Sequence, residues 1–347
     1  MERTKVLITG GQGYIGSVLT GFLARKGFEV VVLDNDLIPG ALLDDPNVSY
    51  VYGDVRAASD WEAALDGVEA VVHLAAIVGD PACGVDPALA SETNYLGTVQ
   101  VAAACRRRGV RKLVFASTCS NYGRADQGEL DVWSPLNPQS IYAQTKILAE
   151  HYLLSLQGSG LTPCILRFAT VHGLSPRMRF DLAVNVMTAN AVRHGVVTVH
   201  GGAQWRPFLH VRDVAQAVHR VLLSVGCGDT SLVYNCGCSG ENYRLEQVAA
   251  IIAEEVPGSR IVLSDGPGDR RDYRVNFDRI RKELAFTGRH RVRDSVREIR
   301  DAMLAGSFRD FDGARYSNFL IAQGKLDGYG SCSGARTGDL LTTGRWG

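Results

Sequence analysis

The 347-residue sequence predicts an α/β chain, a doubly wound parallel sheet followed by a smaller mixed α/β region. Three observations predict it. Runs of apolar, β-branched residues alternate with helical patterns as far as about residue 170. Those runs are apolar throughout, as in strands covered on both faces. A glycine-rich turn joins the first run directly to the first helix.

Taken in order, residues 5–9 read as a strand, 15–26 as a helix and 29–33 as a second strand. Residues 49–53 make a third short strand, 61–65 a helical turn and 70–74 a fourth strand. A long helix is expected over 87–108, a strand over 112–117, a helix over 141–156 and a strand over 162–168. Right-handed crossovers turn this alternation into a doubly wound sheet. Beyond residue 170 the alternation loosens. Helices are expected over 181–194, 211–223, 246–255 and 278–284, with a strand over 196–200. The expected division is a first unit over 1–170, to which 196–223 returns, and a discontinuous cap over 171–323. A loosely ordered, glycine-rich tail is expected over 324–347.

Composition narrows the function. Lys plus Arg equals Asp plus Glu at 37 each, so the basic excess typical of a nucleic-acid protein is missing. Apolar residues make up 46% of the chain, enough for a real core, which excludes bulk disorder. No apolar run reaches the roughly 18 residues that suggest a membrane span. Met1 to Lys5 leads straight into a strand with no signal-peptide core, so a cytoplasmic location is expected. The 8 cysteines suit reduced thiols better than a disulfide framework, and Cys236-Gly237-Cys238 lacks a zinc-ligand spacing, so no metal is expected.

The turn Thr9-Gly10-Gly11-Gln12-Gly13-Tyr14-Ile15-Gly16 sits between strand and helix. Glycines there let the backbone approach a pyrophosphate, which the N-terminus of the helix attracts. Asp34 ends the second strand, where a carboxylate binds a ribose diol and repels a 2′-phosphate, favouring NAD over NADP. Asn35 and Asp36 follow with no arginine, and Asp54, after the third strand, lies within expected reach of the adenine edge. Tyr142 and Lys146 stand four apart at the start of a helix, hence on one face. A cation beside a phenol favours phenolate, which would make Tyr142 a base for a sugar hydroxyl.

The chain resembles the extended short-chain dehydrogenase/reductases, in particular the nucleotide-sugar epimerase/dehydratase group, from about Lys5 to Tyr316. The motifs are Thr9-Gly10-x-x-Gly13-x-x-Gly16, Asp34, Gly53-Asp54, His73-Leu74-Ala75-Ala76, Asn94-x-x-Gly97-Thr98, Ser117-Thr118, Tyr122-Gly123 and Tyr142-x-x-x-Lys146. The resemblance implies a Rossmann-type fold with a C-terminal substrate-binding region. It implies that NAD contacts Gly10, Gly13, Tyr14, Ile15, Asp34, Asn35, Asp54, Val55, Leu74, Ala75, Ala76, Asn94, Ser117, Tyr142 and Lys146. It makes Thr118 the hydroxyl partner of Tyr142, and Lys146 the holder of the nicotinamide ribose.

Where the group's 4,6-dehydratases place Asp then Glu after that threonine, this chain has Cys119 and Ser120. An ordinary dehydratase is therefore disfavoured. Cys119 is either an acid/base thiol or a small apolar filler. Thr170 stands where relatives have Asn, His172 where Tyr is common, and Pro207 where Asp is usual. His172 is either a site residue or a packed turn histidine. The resemblance implies that Arg206 and Arg271 bind a diphosphate. It also implies that Asp80, Thr118, Thr170, Arg179 and Asp181 line the sugar pocket, with residues 79–83 and 175–182 setting the substrate.

These readings lead to an NAD-dependent isomerase that epimerises a nucleotide-diphosphate sugar at C4 through a transient 4-keto sugar. The alternatives are an NAD(P)H-dependent 4-keto sugar reductase, a dehydratase, and a dinucleotide-sensing protein without turnover. The resemblance implies a homodimer formed through the helices after Asn94 and Tyr142, using Val99, Val101, Ala102, Leu148 and Leu153. No nucleic-acid or membrane partner is expected.

Overall fold

The computed structural model describes residues 3–37, 42–224, 232–264 and 271–328, with side chains at 126–127 and 325–328 outside the description. Seven strands form the central sheet: β1 (Lys5–Thr9), β2 (Glu29–Asp34), β3 (Val48–Tyr52), β4 (Ala70–His73), β5 (Lys112–Thr118), β6 (Thr162–Phe168) and β7 (Leu232–Cys236). Every pairing is parallel and the spatial order is β3-β2-β1-β4-β5-β6-β7. The order reverses between β1 and β4, which opens a crevice at the carboxyl ends of those strands. This is the doubly wound α/β sheet the sequence predicts.

Two buried clusters cover the two faces. Val6, Ile8, Val30, Val32 and Val72 pack on one side with Leu19 and Leu23, and with Val214, Val218 and Val221 of the helix Val211–Leu223. Leu7, Val31, Val71, Leu113 and Ile165 pack on the other with Val101, Ala104 and Leu153. Alternate residues of one strand thus serve opposite faces, which is why the strands read as unbroken apolar runs.

The structure departs from expectation in several places. The run over 87–108 is not one α-helix. Pro87–Ser91 and Gly97–Arg107 are α-helical, and Glu92–Leu96 between them is a π-helix. The strand β7 was not expected. It is short, and its polar Asn235 breaks the apolar pattern. Tyr122 Oη donates to Asn235 Oδ1 at 2.6 Å, and the Asn235 amide donates to the Leu130 and Asn276 carbonyls. The strand Val196–His200 pairs in parallel with Arg260–Ser264, away from the central sheet, whereas the helix Val211–Leu223 packs on its face. The helix Asn318–Gly328 occupies the start of the stretch expected to be loosely ordered; residues 329–347 lie outside the described ones.

A third cluster organises the region beyond β6. Val292, Val296 and Phe208 pack with Val184, Val197, Val248 and Ile252. The helix Val292–Leu304 buries Val292, Ser295, Val296 and Ile299, the i, i+3, i+4, i+7 face of an amphipathic helix. Among the described residues, no helix is long and apolar enough to cross a membrane.

Candidate active site

The site is built at the crevice between β1 and β4. Gly10 has φ +70°, and a side-chain carbon there would stand 2.8 Å from the Ala75 nitrogen. Only glycine lets the two loops approach so closely. A methyl group at Gly16 would collide with the Gly10 carbonyl, so that glycine seats helix Tyr14–Arg25 on the turn. The helix begins at Gly13 with no side-chain cap, leaving its first N–H groups to an anion.

The Asp34 carboxylate accepts from the Gln12 amide at 3.0 Å and the Asp36 amide at 3.2 Å, so the end of β2 is tied to the turn. Burial pushes this carboxyl up, and the two amides offset part of the rise. Arg56 donates to both oxygens of Asp54 and holds it below the usual carboxylate range. Asn35 reaches the same carboxylate at 3.5 Å. Val55 packs under Gly97, inside the apolar cluster. Tyr14 turns its ring inward, where its hydroxyl donates to the Gly173 carbonyl at 2.6 Å, so only its backbone faces the turn. Ile15 is half-buried against the apolar clusters on the helix's inner side.

On the β4 side, Thr9 and Thr98 bracket His73 at 2.7 and 3.0 Å, and burial pushes that imidazole down to about 3. It is a neutral spacer that sets the loop Leu74-Ala75-Ala76. Asn94, in the π-helix, accepts from the Ile77 amide at 2.8 Å and donates to the Ile77 carbonyl at 3.0 Å and to Thr145. It clamps the loop's backbone to the helix Ile141–Ser155, a use of the π-turn that its local sequence does not advertise.

That helix starts at Ser140, whose hydroxyl caps the Ala143 amide and donates to Asp80 at 2.7 Å. It carries Tyr142 and Lys146. Lys146 is 2% exposed, its ammonium lying 4.7 Å from the Phe115 ring centroid and 6.0 Å from that of Tyr142, and burial lowers it to about 8. The expected depression of the Tyr142 phenol is not produced by the chain itself. Burial raises the phenol first, the thiol of Cys83 adds to the rise, and Arg179 and Arg271 pull the other way. Arg179, Arg271 and Asp80 are therefore close enough to act on Tyr142 electrostatically.

Thr118 ends β5 and accepts from the Ser120 amide at 3.0 Å. Cys119 is buried in the core, donates to the Arg167 carbonyl at 3.1 Å, and is pushed up by burial. Ser117 is directed away from the crevice too, bonding Glu150. Ser120, which the sequence presents only as a departure from the dehydratase pattern, accepts from Arg271 at 2.8 Å, and Arg271 reaches Asp80 at 3.6 Å. Its neighbour Arg270 lies outside the described residues.

Arg179 pairs with Asp181 through two bonds of 2.8 and 2.9 Å, and the backbone of Asn318 completes that carboxylate. Thr170 lies on the short strand Thr170–His172, beside Phe208 of the strand Trp205–His210. Arg206 of that strand stacks over Tyr273 at 5.3 Å and donates to the Trp205 carbonyl. His172 is the packed histidine. It bonds Ser295 at 2.7 Å and meets His210 edge-on, while His210 stacks on His290 at 4.5 Å. Sequence pattern could not join these three rings, which come from three separated segments.

A glycine turn on a helix N-terminus, an acid ending β2 and a half-buried Tyr142 one helical turn from the buried Lys146 define a dinucleotide-dependent enzyme of the Rossmann class. The chain belongs to the NAD dependent epimerase/dehydratase family, which it matches over residues 6–237, and its cofactor is accordingly NAD. It is 29% identical over 326 residues to a UDP-glucose 4-epimerase of Azospirillum brasilense, covering 86% of this chain and 91% of that one. It is 30% identical over 315 residues to a dTDP-glucose 4,6-dehydratase of Streptomyces niveus, covering 85% and 91%. Among solved structures, MoeE5 in complex with UDP-glucuronic acid and NAD superposes with a TM-score of 0.78 at 29% identity, over 87% of this chain and 99% of that one.

Proposed function

We propose that the chain epimerises a nucleotide-diphosphate sugar at C4. The observation that carries this reading is the Tyr142–Lys146 pair, half-buried at Tyr142 and buried at Lys146, with no acid/base carboxylates at positions 119 and 120, which are Cys119 and Ser120. Elimination of water needs a further proton donor and acceptor, which the group's 4,6-dehydratases are expected to place at those positions; inversion does not. The similarity to UDP-glucose 4-epimerases supports the same choice.

When bound, NAD supplies the hydride acceptor and donor. Tyr142 takes the proton of the C4 hydroxyl and later returns it. Thr118 accepts a backbone N–H, which leaves its own hydroxyl proton to steady the sugar oxygen. Lys146, buried without a hydrogen-bond acceptor among the described residues, offers its N–H groups to the nicotinamide ribose. Arg206 and Arg271 hold the diphosphate, and Asp80, Thr170, Arg179 and Asp181 shape the sugar pocket. Cys119 serves as packing.

The protein acts as a homodimer through its helical face. Val101, Ala102 and Leu153 are used up in the subunit's own core, whereas Leu96 and Leu148 are each 50% exposed and available for the contact. Sedimentation measures this directly.

The deciding experiment offers UDP- and dTDP-linked glucose, galactose and glucuronic acid to the protein without added cofactor. Inversion at C4 with no net change in NADH is expected. A 4-keto-6-deoxy product, or consumption of supplied NADPH, would replace this reading with a dehydratase or a reductase.

A further inference from the structure

We propose that Arg177 is a cofactor ligand whose guanidinium neutralises the NAD pyrophosphate from the side opposite the glycine turn. This rests on the family's use of NAD and not on the sugar or the reaction proposed above.

The turn needs such a partner. Thr9 to Gly16 contains no cationic side chain, and helix Tyr14–Arg25 has its only terminal base in its last turn. Backbone N–H groups alone would face two phosphate charges from below. The segment after the strand Thr170–His172 returns over this spot. Tyr14 donates to the Gly173 carbonyl, Ser175 donates to the Tyr14 carbonyl at 2.7 Å, and the hydroxyls of Ser17 and Ser175 meet at 3.0 Å. Residues 173–175 are thus fastened to the first turn of the cofactor helix. Ser175 also accepts from the Arg177 amide.

The far side of Arg177 is fixed independently. Its Nη2 donates to Asn318 Oδ1 at 2.7 Å, and the Asn318 amide donates to the Val78 carbonyl at 3.3 Å, in the loop that follows β4. Arg177 is therefore tied through Ser175 to the first turn of the cofactor helix and through Asn318 to the β4 loop. These are the two walls of one crevice, since Gly10 touches Ala75.

Its surroundings call for an anion. The side chain is 5% exposed, and its Nε is buried with no hydrogen-bond partner among the described residues. A buried guanidinium with an unmet N–H is costly unless a ligand satisfies it. The acids near it are engaged: Asp181 is held twice by Arg179, and Asp34 by two backbone amides. Burial and the neighbouring Arg179 charge lower Arg177 to about 10, so it stays cationic at neutral pH.

The test titrates full-length protein, stripped of cofactor, with NAD, ADP-ribose, adenosine and UDP. Arg177→Met should weaken NAD and ADP-ribose by about 10- to 100-fold, the range of a charge-assisted hydrogen bond, and leave adenosine within about twofold. Arg177→Lys should recover part of the loss. The affinity of the unaltered protein for ADP-ribose should fall with salt more steeply than that of Arg177→Met. Should Arg177→Met fail to fold, Asn318→Ala, which frees the guanidinium from its anchor, should give the same selective loss at smaller size. Equal weakening of adenosine would make Arg177 structural, and a loss confined to UDP would make it a substrate residue. Either result overturns the proposal.

Discussion

Arg167 grips Glu150 in a buried, two-pronged pair: Nε lies 3.1 Å from both carboxylate oxygens and Nη2 lies 2.7 Å from Oε2. Glu150 stands one helical turn beyond Lys146, and Arg167 lies on β6 beside Ser117 of β5. Asn121 and Ser117 also bond Glu150, and Tyr122 accepts from Arg167. The pair therefore sets the height of the Tyr142–Lys146 helix above the sheet.

Removing one partner leaves the other charge buried. Arg167→Met should destabilise the protein by about 3–5 kcal/mol in urea denaturation. Combining it with Glu150→Met should recover much of that stability. The turnover rate should not recover with it, because the helix loses its fixed seat. Full recovery of turnover in the double variant would show that the pair serves stability alone.

Tyr142→Phe removes one oxygen and keeps the ring. Turnover should fall by about two to four orders of magnitude, the usual worth of a positioned proton donor and acceptor. The NAD released on denaturing the purified protein should stay near the unaltered amount. Retained turnover would remove Tyr142 from the chemistry.

Lys146 makes stability depend on alkaline pH. Its native value of about 8 lies below the ordinary 10.5. Between those values the unfolded chain holds a proton that the native chain has lost, so native stability should rise with pH across that window. Below pH 8 the native protein carries the full cost of a charged, buried ammonium. Cofactor-free Lys146→Met should therefore be more stable at pH 7 by about 3 kcal/mol, at ~1.4 kcal/mol per pKa unit, with the gain gone above about pH 10.5. Denaturation midpoints at several pH values read this directly.

His172 acts at the acid end. Burial and the nearby His210 and His290 hold it well below 6.5, so below that pH the unfolded chain takes up a proton the native chain refuses. Native stability should then fall as the pH drops, by about 1.4 kcal/mol per pH unit for this one histidine. His172→Phe should flatten the slope between pH 6 and 5 by about one proton. An unchanged slope would place the acid sensitivity elsewhere.

Features written in consecutive residues were legible from sequence. The strands 5–9 and 162–168, the turn over Gly10, Gly13 and Gly16, and the spacing of Tyr142 and Lys146 are all local. Features made by distant segments were not legible. Arg177 acquires its surroundings from Ser17 through Ser175, and from Val78 through Asn318, none of which its neighbours in sequence announce. The phenol of Tyr142 illustrates a different limit. Spacing puts a lysine beside it but does not reveal that burial raises the phenol. The helix Val292–Leu304 was not expected from the sequence, and neither was the cluster of three histidines beside it.

The bond from Asn318 to Val78 joins residues 240 positions apart. During synthesis the glycine turn and the β4 loop leave the ribosome early, and Asn318 follows only after nearly the whole described chain. A nascent chain thus has the floor of its cofactor crevice well before the residue that steadies the roof. Firm retention of NAD becomes a late event in the protein's birth, and a ribosome stalled before Asn318 should display a chain that binds the dinucleotide only loosely.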